Sequence, residues 1–316
     1  MTLKKIITLL VGTIFIFGSY LFLDTTNGTK IVKIKSGMSA SAVSDLLKEE
    51  GILTRNNSLL FYVFLRVSGK AGSIKAGSYR IEKGMKMLSI IKLLTTGSNV
   101  FINVTIPEGF TSEQISMRLK ENGIIEDERH FLEMIKSLDI RGFLFPETYK
   151  LTDDMSPAAI IKMMKVQFEK IYSEEFRSRE SELGLDTHKV VTLASLVEKE
   201  ARVPQDRPVI SAIFHKRLNK RMYLESCASV LFALGKHKEK LRYKDLEVES
   251  PYNTYRNFGL PPTPICNPGE DSIRAALWPA DTDYLYFFAR GDGSHIFSKT
   301  YEDHLRLQRE FKNSLK

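Results

Sequence analysis

Along Val190–Arg202, VVTLASLVEKEAR, apolar positions recur with the period of an α-helix and run directly into two carboxylates, Glu198 and Glu200. At about 100° per residue, Val190, Leu193, Ala194, Leu196, Val197 and Ala201 share one broad face, with Thr192, Ser195 and Lys199 opposite. The two glutamates then flank the apolar stripe on its borders. A carboxyl placed there is partly desolvated, which favours its neutral form and raises its pKa, as a general acid working near neutral pH requires. The same pattern also suits two ordinary surface glutamates, and periodicity does not rank one above the other.

Ile6–Leu23, IITLLVGTIFIFGSYLFL, is an uncharged run of 18 residues that follows Lys4 and Lys5. That length just crosses the hydrocarbon layer as a helix, and the two lysines place residues 1–5 in the cytoplasm and the rest outside. No small-x-small cleavage site and no lipid-accepting cysteine closes the run. It therefore reads as an uncleaved anchor at 6–23, with a cleaved signal peptide as the alternative, followed by a polar tether over 24–30.

Beyond the tether the pattern repeats. Ile34–Leu53, IKSGMSASAVSDLLKEEGIL, and Ile106–Ile125, IPEGFTSEQISMRLKENGII, align with Gly37 on Gly109, Leu47 on Leu119 and Gly51 on Gly123, and a looser copy starts at Ile81. Each copy predicts an extended segment, a Gly turn, a helix of about three turns and a stop. With strands at Gly77–Ile81 and Phe101–Ile106 and a helix from Asn56 to Val67, residues 31–137 read as one or two small α+β modules. The arrangement resembles LysM-type glycan-binding modules. A packing scaffold without a ligand is the alternative.

A boundary is expected near 138, so that residues 138–316 form a second, mixed α+β domain. It opens with Gly142–Tyr149, GFLFPETY, where Glu147 is a candidate second carboxylate, and continues with a long amphipathic helix from about Ser156 to Leu183. A further helix is predicted over Pro204–Lys220; His215 on it reads as a solvated residue, since no second histidine follows at i+4. Glu249–Gly269, ESPYNTYRNFGLPPTPICNPG, is too rich in Pro, Gly and Asn for helix or central strand and reads as a long ordered loop. Tyr252, Asn253 and Tyr255 offer flat faces and hydrogen-bonding groups suited to sugar rings and N-acetyl groups. Strands at Tyr284–Ala289 and His295–Ser298 and a terminal helix complete the chain.

Composition narrows the partners. A net charge of +8 points to an anionic partner, namely nucleic acid, lipid headgroups or a cell-wall polymer. No RNP-like motif, zinc-finger spacing or strongly basic helix accompanies it, so nucleic acid is not expected. The chain holds two cysteines, Cys227 and Cys266, and depends on its core rather than on a disulfide framework.

Taken together, FPETY, LASLVEKEA, SPYNTYRNFGLPPTPICNPG, AALWPA and YLYFFARGDGSHIFSKTYEDH, in this order behind an apolar N-terminal run, resemble the MltG/YceG family of membrane-anchored endolytic murein transglycosylases. The resemblance implies a single-pass protein of the bacterial cytoplasmic membrane with its catalytic domain on the extracytoplasmic side. It implies peptidoglycan glycan strands as substrate, partnership with peptidoglycan synthases, and no metal or organic cofactor. It also implies one essential glutamate, the second of EKE, and so selects Glu200 as the acid that then acts as base, leaving 1,6-anhydroMurNAc ends. Tyr252, Asn253, Thr254, Tyr255 and Glu147 are expected to hold the glycan, and Ser195 or Ser229 to orient the acid. The alternatives are a hydrolytic muramidase and a non-catalytic wall-binding scaffold. One departure stands out: in LESCASVLF, Leu224–Phe232, Cys227 replaces the acidic residue many members carry. With Cys266 in the other loop expected at the cleft, the two cysteines of an exported domain are expected to form a disulfide, with free thiols as the alternative.

Overall fold

The computed structural model describes residues 29–82, 84–97, 100–235, 238 and 241–315. It forms two compact units, one taking the residues up to Val104 with Asn122–Ile125 and Tyr149–Ser156, the other Thr105–Glu121, Glu126–Thr148 and Pro157–Lys316. The boundaries fall within strands Ile102–Ile106 and Glu147–Leu151.

In the first unit, Lys30–Ile34 pairs antiparallel with Gly77–Ile81, Lys30 opposite Ile81 and Ile34 opposite Gly77. Strand alternation sends Val32, Ile34, Tyr79 and Ile81 inward. Helices Ala40–Glu49, Arg55–Val67 and Met87–Thr96 close over them with Val43, Leu47, Phe61, Leu65, Ile90 and Leu94. The repeat is visible in the backbone: Ala40–Glu49, Met87–Thr96 and Ser112–Glu121 are each helices of 10 residues. In the third copy Gly109 turns at φ +76 and Gly123 stops the helix at φ +68, a region that side chains with a Cβ disfavour.

The second unit is organised around helix Thr187–Glu200. Asp186 caps it, accepting from the Lys189 N–H at 2.8 Å, and Ala201 ends it by turning extended at ψ 110, with Pro204 beyond. Every residue from Val190 to Val197 is buried. Sequence periodicity placed Thr192 and Ser195 opposite the apolar face; that side is covered too, because the helix is enclosed by Glu174–Glu182, Asp206–Asn219, Cys227–Leu234 and Glu270–Leu277. The two hydroxyls survive burial by bonding backward to the carbonyls of His188 and Thr192, both at 2.7 Å. An aromatic run, Phe143, Phe168, Tyr172, Phe176 and Trp278, lines one side of this core with successive ring centroids 5.0–5.7 Å apart.

Three expectations are corrected. The fold mixes helix and strand, but the expected transmembrane helix is not among its elements, and 6–23 lies outside the described residues. No helix among the described residues is long and apolar enough to cross a membrane. The longest, Pro157–Ile171, has 15 residues, about 22 Å against roughly 30 Å of hydrocarbon. The single helix expected over 156–183 is two, Pro157–Ile171 and Glu174–Glu182, because Ser173 is extended and the corner is held by Tyr172, stacked on Phe168 and donating to the Glu180 carboxylate. His215 is half-buried, its Nε2 2.8 Å from the Ala276 carbonyl, and burial lowers its pKa.

The long loop is seated by a backbone-to-ring approach. Gly142 sits at φ +88, and a Cβ there would lie 2.4 Å from the Pro264 ring. Gly142→Ala is therefore expected to displace Pro264, seen as faster amide hydrogen exchange across residues 250–269 while exchange in the Thr187–Glu200 helix core stays slow.

Candidate active site

Glu200 is the last residue of the buried helix and is itself half-buried. The Ser226 hydroxyl donates to its Oε1 at 2.5 Å, and the Ala228 N–H reaches the same oxygen at 3.4 Å. Ser226 is the N-cap residue of helix Cys227–Leu234, and Ala228 lies in its first turn, where backbone N–H groups lack partners within their own helix. Burial pushes the Glu200 pKa up; the Ser226 and Ala228 hydrogen bonds and the nearby His295 pull it back only in part.

Glu198 has a different task. Its Oε2 accepts from the Gly269 N–H at 3.1 Å, fastening the start of Glu270–Leu277, while Lys199 donates to the Gly109 carbonyl at 3.1 Å. Glu108, not foreseen from sequence, lies against Gly269 so closely that a Cβ there would meet its Oε1 at 2.0 Å. Burial, followed by the charge of Glu198, raises the Glu108 pKa, and Arg207 opposes this from 3.9 Å.

Around Glu200 the chain brings together Cys227, Tyr255, His295 and Asp206. The Cys227 Sγ is 3.2 Å from the Tyr255 hydroxyl, and burial, followed by the neighbouring Cys227 and Glu200, raises the Tyr255 pKa. The backbone N–H and Nδ1 of His295 both lie 2.9 Å from Asp206 Oδ2, which fixes the ring. His295 was present in the quoted GSHIFS stretch, but nothing local marked its partner 89 positions away.

The other expected residues are placed as follows. Ser229 is not the hydroxyl on the acid: its Oγ donates to the Ser226 carbonyl at 2.8 Å and meets Thr254 Oγ1 at 2.8 Å. Thr254 also accepts from the Ser226 N–H at 3.0 Å, so the pair ties the loop to the turn that carries Ser226. Asn253 is fully buried, donating to the Leu246 and Val248 carbonyls at 2.8 and 2.9 Å. Tyr252 packs on Phe232 and bonds Thr263 at 2.9 Å. Ser195 accepts from the Ile265 N–H at 3.0 Å and supports the loop from beneath. Glu147 is exposed, with its carboxylate on the Thr148 N–H at 2.8 Å.

The disulfide expected between Cys227 and Cys266 is not formed; both are free, Cys227 exposed and Cys266 buried. Cys266 donates to the Ser195 carbonyl at 3.4 Å beneath the loop, whereas Cys227 faces Tyr255. Among the described residues no group of three or more His, Cys, Asp or Glu side chains is arranged to hold a metal.

A raised carboxyl pKa favours the folded state below the ordinary range, near 4.3, and this contribution is lost as pH climbs through the folded value. Glu200→Gln removes the burden of an ionised buried carboxylate. Its thermal midpoint should exceed the parent's at pH 8, and the gap should shrink as pH falls through the raised Glu200 pKa.

Residues 32–310 match the model of the YceG-like family. The chain is 35% identical to the endolytic murein transglycosylase of Bacillus subtilis (strain 168), over 97% of this chain and 92% of that protein. It is 28% identical to the endolytic murein transglycosylase of Streptococcus pneumoniae serotype 2 (strain D39), over 96% of this chain but 62% of that longer protein. A 2.6 Å crystal structure of a yceG-like protein from Listeria monocytogenes is 33% identical and superposes with a TM-score of 0.61, covering 89% of this chain and 99% of the other. A family match across nearly the whole chain, joined to a relative of this identity and coverage, establishes that the chain belongs to the YceG-like family.

Proposed function

We propose that this chain is an endolytic murein transglycosylase that cuts the β-1,4 bond between MurNAc and GlcNAc within peptidoglycan strands and leaves 1,6-anhydroMurNAc ends. The observation that carries the reading is the asymmetry of Glu200: its two donors share Oε1. The proton therefore resides on Oε2, the oxygen left to the substrate.

Glu200 donates that proton to the glycosidic oxygen as the C1–O bond breaks and positive charge develops at MurNAc C1. The carboxylate so formed is stabilised by Ser226, Ala228 and His295. It then takes the proton of the MurNAc C6 hydroxyl while that oxygen closes on C1. The proton returns to Glu200, and no water is consumed. Most glycosidases that use water or a covalent intermediate employ a second carboxylate. Glu198, the carboxylate two residues before Glu200, is engaged with the Gly269 N–H at 3.1 Å. Because the nucleophile is part of the same sugar, proximity supplies what that carboxylate would provide.

Tyr255 borders the reacting bond, while Asn253, Thr254, Ser229 and Ser195 shape the loop that presents it. Murein lies outside the cytoplasm, so the enzyme works on the extracytoplasmic side, where an internal cut in a nascent strand ends its elongation beside the synthase.

Digestion of uncrosslinked glycan strands, read by mass spectrometry, should show anhydroMurNAc ends with the parent and a rate lower by about 10²–10⁴-fold with Glu200→Gln. Ends heavier by one water would instead mark a muramidase, and undiminished cleavage by Glu200→Gln would remove the acid altogether. The rate of the parent should fall as pH rises through the Glu200 pKa. Ser226→Ala deletes a donor that favours the carboxylate, so its alkaline limb should move to higher pH.

A further inference from the structure

Tyr223 and Phe258 stack face to face, ring centroids 3.9 Å apart and planes 12° from parallel. Phe258 is nonetheless 62% exposed, and neither ring belongs to the packed core of its unit. A Phe ring left this open adds little to folding, because the apolar area it removes from water is small. One face of Phe258 is covered by Tyr223, and most of the residue stays exposed.

Both rings sit on the segments that build the acid site. Tyr223 precedes Ser226, the donor to Glu200, by three residues, and Phe258 follows Tyr255, the partner of Cys227, by three. Each segment is braced by hydrogen bonds. Arg217, its guanidinium buried, donates to the carbonyls of Tyr223 and Leu224, both at 3.1 Å, and to the Glu225 carboxylate at 2.8 Å. Arg221 and Glu225, at φ +53 and +54, bracket Tyr223 with left-handed backbone that residues bearing a Cβ disfavour. On the other segment of the site, Asn257 donates to the Ser250 and Asn253 carbonyls, each at 2.9 Å, and Arg256 to the Glu247 carbonyl at 3.0 Å. An exposed ring is thus held on two braced segments next to an acid, an expense of ordering that packing does not explain.

We propose that the Tyr223–Phe258 pair is a stacking platform for a pyranose ring of the glycan strand, a subsite adjoining the bond that Glu200 cleaves. The axial C–H face of a pyranose lies flat on an aromatic ring, whose π face is electron-rich, and Tyr223 behind Phe258 keeps that face from turning away. The assignment rests on the glycan-cleaving reading above.

The test uses the full chain and uncrosslinked GlcNAc–MurNAc strands. Steady-state rates are compared for the parent, Phe258→Ala, Phe258→Leu and Phe258→Tyr. Strand binding is measured by calorimetry on Glu200→Gln and on Glu200→Gln carrying Phe258→Ala. Phe258→Ala should weaken binding and raise KM by about tenfold, with most of the loss in KM. Leu, which keeps bulk without a ring face, should behave like Ala, whereas Tyr should stay near the parent. If Ala binds as tightly as Phe, or if Leu substitutes fully for it, the platform is wrong although cleavage stands. If the parent does not cut glycan, the functional reading fails, and the calorimetric comparison still decides the platform.

Discussion

The structure depends on one awkward placement, a carboxyl at the end of a helix that is buried from Val190 to Val197. A helix enclosed on every side delivers its last side chain to a fixed point, but that point is partly removed from water. A carboxylate there loses hydration, so the site is workable only with donors for the charged form and a proton for the rest of the time. Ser226 and Ala228 answer the first need on one oxygen only. The surrounding burial answers the second.

Much of the second unit serves to bring Ser226 to that point. The hydroxyl lies 26 residues beyond Glu200, on a turn that the sequence alone cannot aim. Thr254 and Ser229 lock that turn to the 250–269 loop. Asn253 gives its amide to the Leu246 and Val248 carbonyls just before the loop, and Ser195 with Cys266 secures the far end to the acid's own helix. The buried hydroxyls and amides are therefore joints. Each satisfies backbone groups that an irregular loop would otherwise leave unpaired.

Reading by periodicity succeeded where neighbours along the chain decide the outcome. The Gly turn, helix and stop of the repeats were legible, as were strands Gly77–Ile81 and His295–Ser298, because spacing and turn chemistry are local. The border position of Glu200 was legible for the same reason, and its preference over Glu198 came from resemblance. What escaped was long-range. The burial of Thr192 and Ser195 opposite the apolar face escaped because a polar residue on a wheel does not reveal a backbone carbonyl one turn back. Ser229 was expected to touch the acid and Ser226 does, a choice set by how the start of one helix is rotated toward the end of another. Asn253 and Thr254 have the chemistry of sugar ligands, yet the loop uses both for itself. Glu108 and the His295–Asp206 pair meet the site only through tertiary packing.

The central claim is that Glu200 keeps a proton at a pH where an ordinary carboxyl has lost it. The most direct measurement is a difference infrared titration of the carboxyl band, parent minus Glu200→Gln. The account predicts a protonated-carboxyl band in the difference spectrum that persists well above the usual glutamate range and disappears in a single titration. A difference band that has already ionised within the ordinary glutamate range would contradict it.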